Sequence, residues 1–336
     1  GANSVAGNTV LGESALDAAV SGGFNTAIGN TALTTLTSGT HNTAVGRQSL
    51  YSTTTGSSNT AIGSGALASN TTASNNTAMG LSAMNVNTTG SSCVAIGNNA
   101  LDANTSGGSN VAMGSYALSE NTTSSFNTAI GAGALENSTS ANNTALGALA
   151  LDAATTGGNN TALGRSAASA VTTGNNNTAA GYAALENTTT ASNLTAIGVN
   201  ALHANTTGDN NTAVGLNSAN SNTTGANNVS VGVNCFRLNT TGVNNTAIGR
   251  DSLESNTTAS NNTAYGYASL QANTTGEQNV AVGVYALDAS TTAQRNTAIG
   301  YNAGTTVTTG SYNAILGAYA GEDINTGQHN TFIGYD

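Results

Sequence analysis

The phrase Asn25-Thr26-Ala27-Ile28-Gly29 returns, slightly altered, about every seventeen residues from one end of the chain to the other, and nothing else restricts the fold as much. Its closing glycine runs from Gly12 to Gly131 in steps of seventeen, takes one step of sixteen to Gly147, and continues by seventeens to Gly334, twenty copies in all. A period held this strictly makes every copy an equivalent member of a stack. The 336 residues therefore read as a single repeat domain, 1–336, and not as the two domains that length alone suggests.

Within one rung, numbered from its first Asn, the consensus is N-[TV]-A-[IVLM]-G-x-x-[AS]-L-x-x-N-T-T-G-x-N. Alternation places positions 2 and 4 on one face and 1, 3 and 5 on the other, the signature of a strand. Val94, Val111, Val229 and Val280 replace Thr at position 2, an exchange that suits a strand. The Ala-Leu pair at positions 8 and 9, as in Ala100-Leu101, predicts a second short strand, with Met84 and Phe236 replacing Leu. Gly and Asn between them mark corners, of which Asn87-Thr88-Thr89-Gly90 is the clearest. A helix is excluded because Gly, Asn and Thr interrupt every turn of any i, i+3, i+4 pattern.

The predicted fold is all-β, a parallel β-solenoid or β-roll of about 20 rungs of 17 residues. At ~4.8 Å per stacked strand it would extend roughly 95 Å. Asn columns at positions 1, 12 and 17 are expected to form amide ladders, and Leu and Ile/Val columns to fill the space between strands. Ala at position 3 gives way to larger residues only near the ends, at Val10, Ile315 and Phe332. A small residue is needed where a neighbour packs closely, so this column is expected to face another chain, with Val10, Leu11, Ile315 and Phe332 as end contacts.

Composition then removes function classes. Charged residues are 6% and the formal charge is −10 with five basic residues, which excludes nucleic acid and anionic membrane surfaces as partners. No apolar run reaches the ~20 residues of a spanning helix, so this segment is not expected to insert in a membrane. The chain begins at Gly1 without a basic-then-apolar leader and reads as a processed product or a fragment. Cys93 and Cys235 lie eight repeats apart, roughly 40 Å in a stack, and cannot pair within one chain.

Cys93-Val94-Ala95-Ile96-Gly97, Asn279-Val280-Ala281-Val282-Gly283 and Asn110-Val111-Ala112-Met113-Gly114, each followed three residues on by Ala, resemble the head repeats of YadA-like trimeric autotransporter adhesins. The NTAIG form is also similar to repeats of bacterial and phage tail-fibre-like surface proteins. The resemblance covers the whole chain. It implies a left-handed β-roll, three chains to an assembly, displayed outside the cell. The family repeat is commonly shorter, which makes the NTTG corner an addition, and the sequence contains no coiled-coil stalk or anchor.

Candidate sites are sparse. His41, His203 and His329 fall many rungs apart and read as exposed turn residues, not metal ligands. Acidic residues favour position 10 (Asp17, Asp102, Glu136, Asp152, Glu186, Glu254, Asp288), which reads as solubilising charge more readily than as a cation line. Glycosylation sequons recur at the corner asparagines Asn70, Asn87, Asn104, Asn121, Asn205, Asn222, Asn239, Asn256 and Asn273, with others at Asn75, Asn159, Asn210, Asn244 and Asn261. Tyr116, Tyr182, Tyr267, Tyr285, Tyr301, Tyr319 and Tyr335 follow the repeat glycine and read as isolated surface aromatics, a partner strip being the alternative. Tyr265 replaces what the pattern makes a core Ile.

With no nucleophile, base or cofactor constellation, the sequence predicts a non-enzymatic extracellular fibre or adhesin shaft at the cell surface, without cofactor. Its expected partners are itself, as a trimer or an end-to-end filament, and a host surface or matrix receptor. The alternative is an ice-binding or carbohydrate-binding β-solenoid, the former built on the Thr pairs of the NTT corner.

Overall fold

A computed structural model describes residues 5–335, which fall into two units divided between Arg165 and Ser166. Each unit is a parallel β-solenoid. The first carries ten three-residue strands from Thr9–Leu11 to Thr161–Leu163, and the second ten from Thr178–Ala180 to Thr331–Ile333. Neighbouring strands pair in parallel and in register, Thr26, Ala27 and Ile28 opposite Thr43, Ala44 and Val45 in the first unit and Thr195, Ala196 and Ile197 opposite Thr212, Ala213 and Val214 in the second.

Bonding between rungs is not confined to the strand. Residues 25–41 and 42–58 are joined by Thr26 N–H to Asn42 O (2.8 Å), Gly46 N–H to Ile28 O (2.7 Å), Leu33 N–H to Ser49 O (3.1 Å), Thr37 N–H to Thr54 O (2.9 Å) and Ser58 N–H to Thr40 O (2.9 Å). Backbone cohesion thus comes from the whole circumference of the rung. The sixteen-residue step fits this scheme because its missing residue comes out of the corner, where Ser138-Thr139-Ser140 stands for Asn-Thr-Thr-Gly. Register is recovered at once, with Thr128 opposite Thr144.

The expected second strand is absent. Positions 7 to 9 form a turn with left-handed residues at 7 and 9, for example Thr31 (φ 55°) and Leu33 (φ 50°). This explains the composition of position 9, where Leu, Met84, Phe236, Ala168, Ala219, Gly304 and Gly321 occur but no Val, Ile or Thr. A β-branched side chain is strongly disfavoured at positive φ, whereas Leu, free at Cβ, can point inward from it.

The interior also differs from the expected one. Ala at position 3 is the inside of the strand, with Ala27, Ala44, Ala196 and Ala213 at 0% exposure, so it does not face another chain. The small residue is needed because the turn of the same chain approaches from the other side. Across that gap Ser230 Oγ (position 3) donates to Cys235 O (position 8) at 2.9 Å. The Ile/Val column at position 4 points outward instead of filling the core, and Tyr265 with it, 56% exposed.

Ile315 is corrected for the same reason: it is 1% exposed and interior, not an end contact. Its rung and the one before it have glycine in place of Leu at position 9, and a Cβ on Gly304 or Gly321 would lie 2.8 or 3.4 Å from Ile315 Cδ1. Bulk lost from one column is restored from the other. Phe332 and Val10 belong to the same inward column and are half-buried, while Leu11 lies on the outward position 4 and is exposed.

Two interior asparagine ladders run up the stack. At position 1, Asn42 Nδ2 donates to Asn25 Oδ1 of the rung before (3.1 Å) and to Gly56 O of its own rung (2.9 Å), while Asn42 Oδ1 accepts from Asn59 N–H of the rung after (3.0 Å), so the side chain ties its own rung to both neighbours. At position 12, Asn104 Nδ2 donates to Asn87 Oδ1 (2.8 Å) and Gly107 O (3.0 Å), and Asn239 Nδ2 to Asn222 Oδ1 (2.7 Å). Satisfied amides make a polar interior tolerable where a thin apolar one would not suffice. The second ladder stops where Ser138 and Ser290 replace Asn, leaving Asn121 Oδ1 and Asn273 Oδ1 buried without a partner.

Glycine at position 5 sets how closely rungs approach. Gly198 has φ +134°, and a Cβ there would lie 2.4 Å from the carbonyl oxygen of Gly215. Position 15 is also close-packed, but its φ lies outside the left-handed region and Ala73, Ala191, Ala259 and Ala293 occupy it elsewhere. Gly198→Ala is therefore expected to cost about 3 kcal/mol or more in denaturant titration, well beyond Gly208→Ala. Ser290→Asn should extend the position 12 ladder onto Asn273 Oδ1 and raise stability by about 1 kcal/mol in the same assay.

Candidate functional site

Because every rung repeats one backbone, surface chemistry is organised in columns, and four outward columns hold the candidates. The first is position 4 on the strand face. Its side chains are apolar and left half-exposed by a single chain, as at Leu146 (48%) and Ile299 (41%), beside partly buried Thr or Val at position 2. Sequence patterning places this column inside, between the strands, so the surface emerges only from the fold.

The second is the corner. Its two threonines diverge: position 13 is half-buried and its hydroxyl donates along the stack, Thr88 Oγ1 to Thr105 O (2.9 Å) and Thr240 Oγ1 to Thr257 O (3.0 Å). The position 14 threonine, as at Thr89, faces solvent, and at position 13 only some, such as Thr122 and Thr155, do so as well. The paired Thr array on which an ice-binding reading would rest is not formed here.

The corner asparagines are likewise unsuited to carry sugar. Asn70, Asn87, Asn104, Asn121, Asn205, Asn222, Asn239, Asn256 and Asn273 are buried, none more than 1% exposed, with Nδ2 engaged inside. A glycan on Nδ2 would have no room and would break the ladder. The sequons at Asn75, Asn159, Asn210, Asn244 and Asn261 stand instead at the exposed, left-handed position 17, the third column. Amide contacts run along it on the outside, Asn193 Nδ2 to Asn210 Oδ1 (3.1 Å) and Asn210 Nδ2 to Asn227 Oδ1 (3.2 Å).

The fourth lies just past the repeat glycine, at positions 6 and 7. The later tyrosines are not isolated. Tyr267 packs edge-on against Tyr285 (ring centroids 5.2 Å), Tyr301 against Tyr319 (5.3 Å), and Tyr319 against Tyr335 (5.7 Å). Arg250 lies over Tyr267 at 6.0 Å. Five successive rungs each supply one tyrosine, alternating between the two positions, a signal present in the sequence once residues 6 and 7 are read as one line.

Histidines and acids pair with neighbours one rung away. His41 stacks on Phe24 (5.1 Å), His329 on Tyr312 (4.8 Å), and His203 Nε2 meets Glu186 Oε2 at 2.9 Å. Arg237 pairs with Glu254 at 2.9 Å. Burial raises the carboxyls of Asp102 and Asp152 above the usual range, helped by Glu120 and Glu136 respectively. Among the described residues no three His, Cys, Asp or Glu side chains are grouped to hold a metal ion, and no helix is long and apolar enough to cross a membrane.

No protein-family model matches this chain, and no curated protein matches it. What it does must therefore be argued from its surfaces.

Both cysteines are free and buried. Cys235 Sγ donates to Ala247 O (3.2 Å), and loss of solvent pushes its thiol up to about 11; burial raises Cys93 too. At pH 8 only about one thiol in a thousand would be thiolate at Cys235. The native protein should react with a chromogenic disulfide reagent no faster than it unfolds, and both thiols should titrate promptly in denaturant.

Proposed function

We propose that this chain is the shaft of an extracellular structural fibre or adhesin of the YadA-like head-repeat class, non-enzymatic and self-associating. The observation that carries this reading is the outward apolar column at position 4. Ile62 and Leu146 in the first unit, and Ile197 and Ile299 in the second, sit on the in-register strands of their own unit and are 37 to 48% exposed. Contiguous apolar surface of this kind is rarely left bare by a soluble protein and marks an interaction face. An identical column on a second and third copy is a natural cover, and the number three follows the resemblance of the repeats to trimeric adhesin heads.

The other properties suit such a role. Backbone amides tied rung to rung offer proteases few extended loops. A net charge of −10 turns the chain away from nucleic acid and anionic lipid. An exposed strand edge invites further pairing, which gives a route to end-to-end filaments. The external partner of such a shaft would be a host surface or matrix receptor.

Light scattering at micromolar concentration tests the assembly. The expected mass is three times 32.7 kDa. Combining Ile62→Asp, Leu146→Asp, Ile197→Asp and Ile299→Asp should reduce it to a single chain while the circular dichroism remains that of a β-fold. A single-chain mass for the unaltered protein at every concentration would overturn the reading.

A further inference from the structure

The tyrosine line of the second unit is confined to a few rungs at one end of the sequence. Tyr267, Tyr285, Tyr301, Tyr319 and Tyr335 occupy the last five copies of the repeat, one each, whereas the position 4 column is apolar nearly throughout. Packing edge-on, the tyrosines leave the faces of one ring in each pair clear of its partner. The position 6 members Tyr267, Tyr301 and Tyr335 are 38%, 46% and 75% exposed. Two of the same rungs carry a carboxylate three residues on, Asp288 after Tyr285 and Glu322 after Tyr319. The one cation at the line, Arg250, lies at its Tyr267 end and is already paired with Asp251 at 3.1 Å.

We propose that this stripe binds a neutral, extended polysaccharide laid along the stack, one sugar ring per rung. Pyranose rings offer apolar C–H faces to aromatic rings and hydroxyls to carboxylates, and these rungs carry both kinds of group. The centroid spacings of the three contacting ring pairs, 5.2, 5.3 and 5.7 Å, are close to the advance per residue of a β-1,4-linked chain. The net charge of −10 turns away anionic glycans, and a second copy of this chain on the stripe would bring Asp288 and Glu322 of these rungs against their own kind. The proposal goes beyond the shaft reading and does not require self-association.

Affinity electrophoresis of the full chain through gels containing hydroxyethylcellulose, glucomannan or, as an anionic control, alginate tests it. Retardation is expected in one or both neutral gels and not in alginate. The combined variant Tyr285→Ala, Tyr301→Ala and Tyr319→Ala should weaken it about tenfold or more, with thermal melting and light-scattering mass unchanged. The paired control Tyr116→Ala and Tyr182→Ala, outside the line, should bind as before. Absence of retardation in both neutral gels, or equal retardation of the triple variant, would overturn the proposal. So would a change in assembly mass in the triple variant, which would make the stripe a contact between copies. None of these results alters the test of the position 4 face.

Discussion

The structure depends on how near one rung can come to the next, and glycine at position 5 sets that limit. At φ near +135° its missing side chain lets the next glycine's carbonyl oxygen occupy the space a Cβ would need. Only at that separation can backbone bonds close around the whole rung. The asparagine side chains then span from one rung to the next, for which an Asn amide has the right reach and both a donor and an acceptor. A rung held off by one methyl group would lose several such bonds together.

This architecture makes the interior narrow and the exterior serial. The inside holds Ala, one Leu, two Asn and a Gly per turn, so apolar burial is modest and satisfied amides share the cohesion. Where one column changes size another answers, as Ile315 does for Gly304 and Gly321. Outside, any residue type placed at one position is multiplied along the stack. A weak contact, such as one half-exposed isoleucine or one tyrosine ring, becomes a surface by repetition.

The sequence carries the stack openly. The seventeen-residue period, the parallel register and the Asn columns at positions 1, 12 and 17 can all be read from the repeat, because stacking makes equivalent residues obey one pattern. What it hides is direction. Alternation at Thr26-Ala27-Ile28 separates two faces, but hydrophobicity points to Ile28 as interior when Ala27 is fully buried and Ile28 on the other face is only half-buried. The choice was made by width: Leu33, entering from a left-handed residue that single-sequence patterns do not reveal, leaves room only for Ala opposite. The same blindness turned Asn87 and its equivalents into apparent glycan sites, since a sequon reads alike on a corner and in a ladder. The tyrosine line was visible in part but split between two positions.

The central claim is that residues seventeen apart lie directly over one another. Spin labels report this most directly, and the burial of Cys93 and Cys235 leaves engineered surface thiols as the reactive ones. Labels at Thr72 paired in turn with Thr89, Ser106 and Thr123, all exposed at position 14 of successive rungs, should give separations growing by about 4.8 Å per rung. A label at Leu81, nearer to Thr72 in sequence but in a different column, should lie farther from it than Thr89 does. Separations that track distance along the sequence instead of rung number would contradict the account.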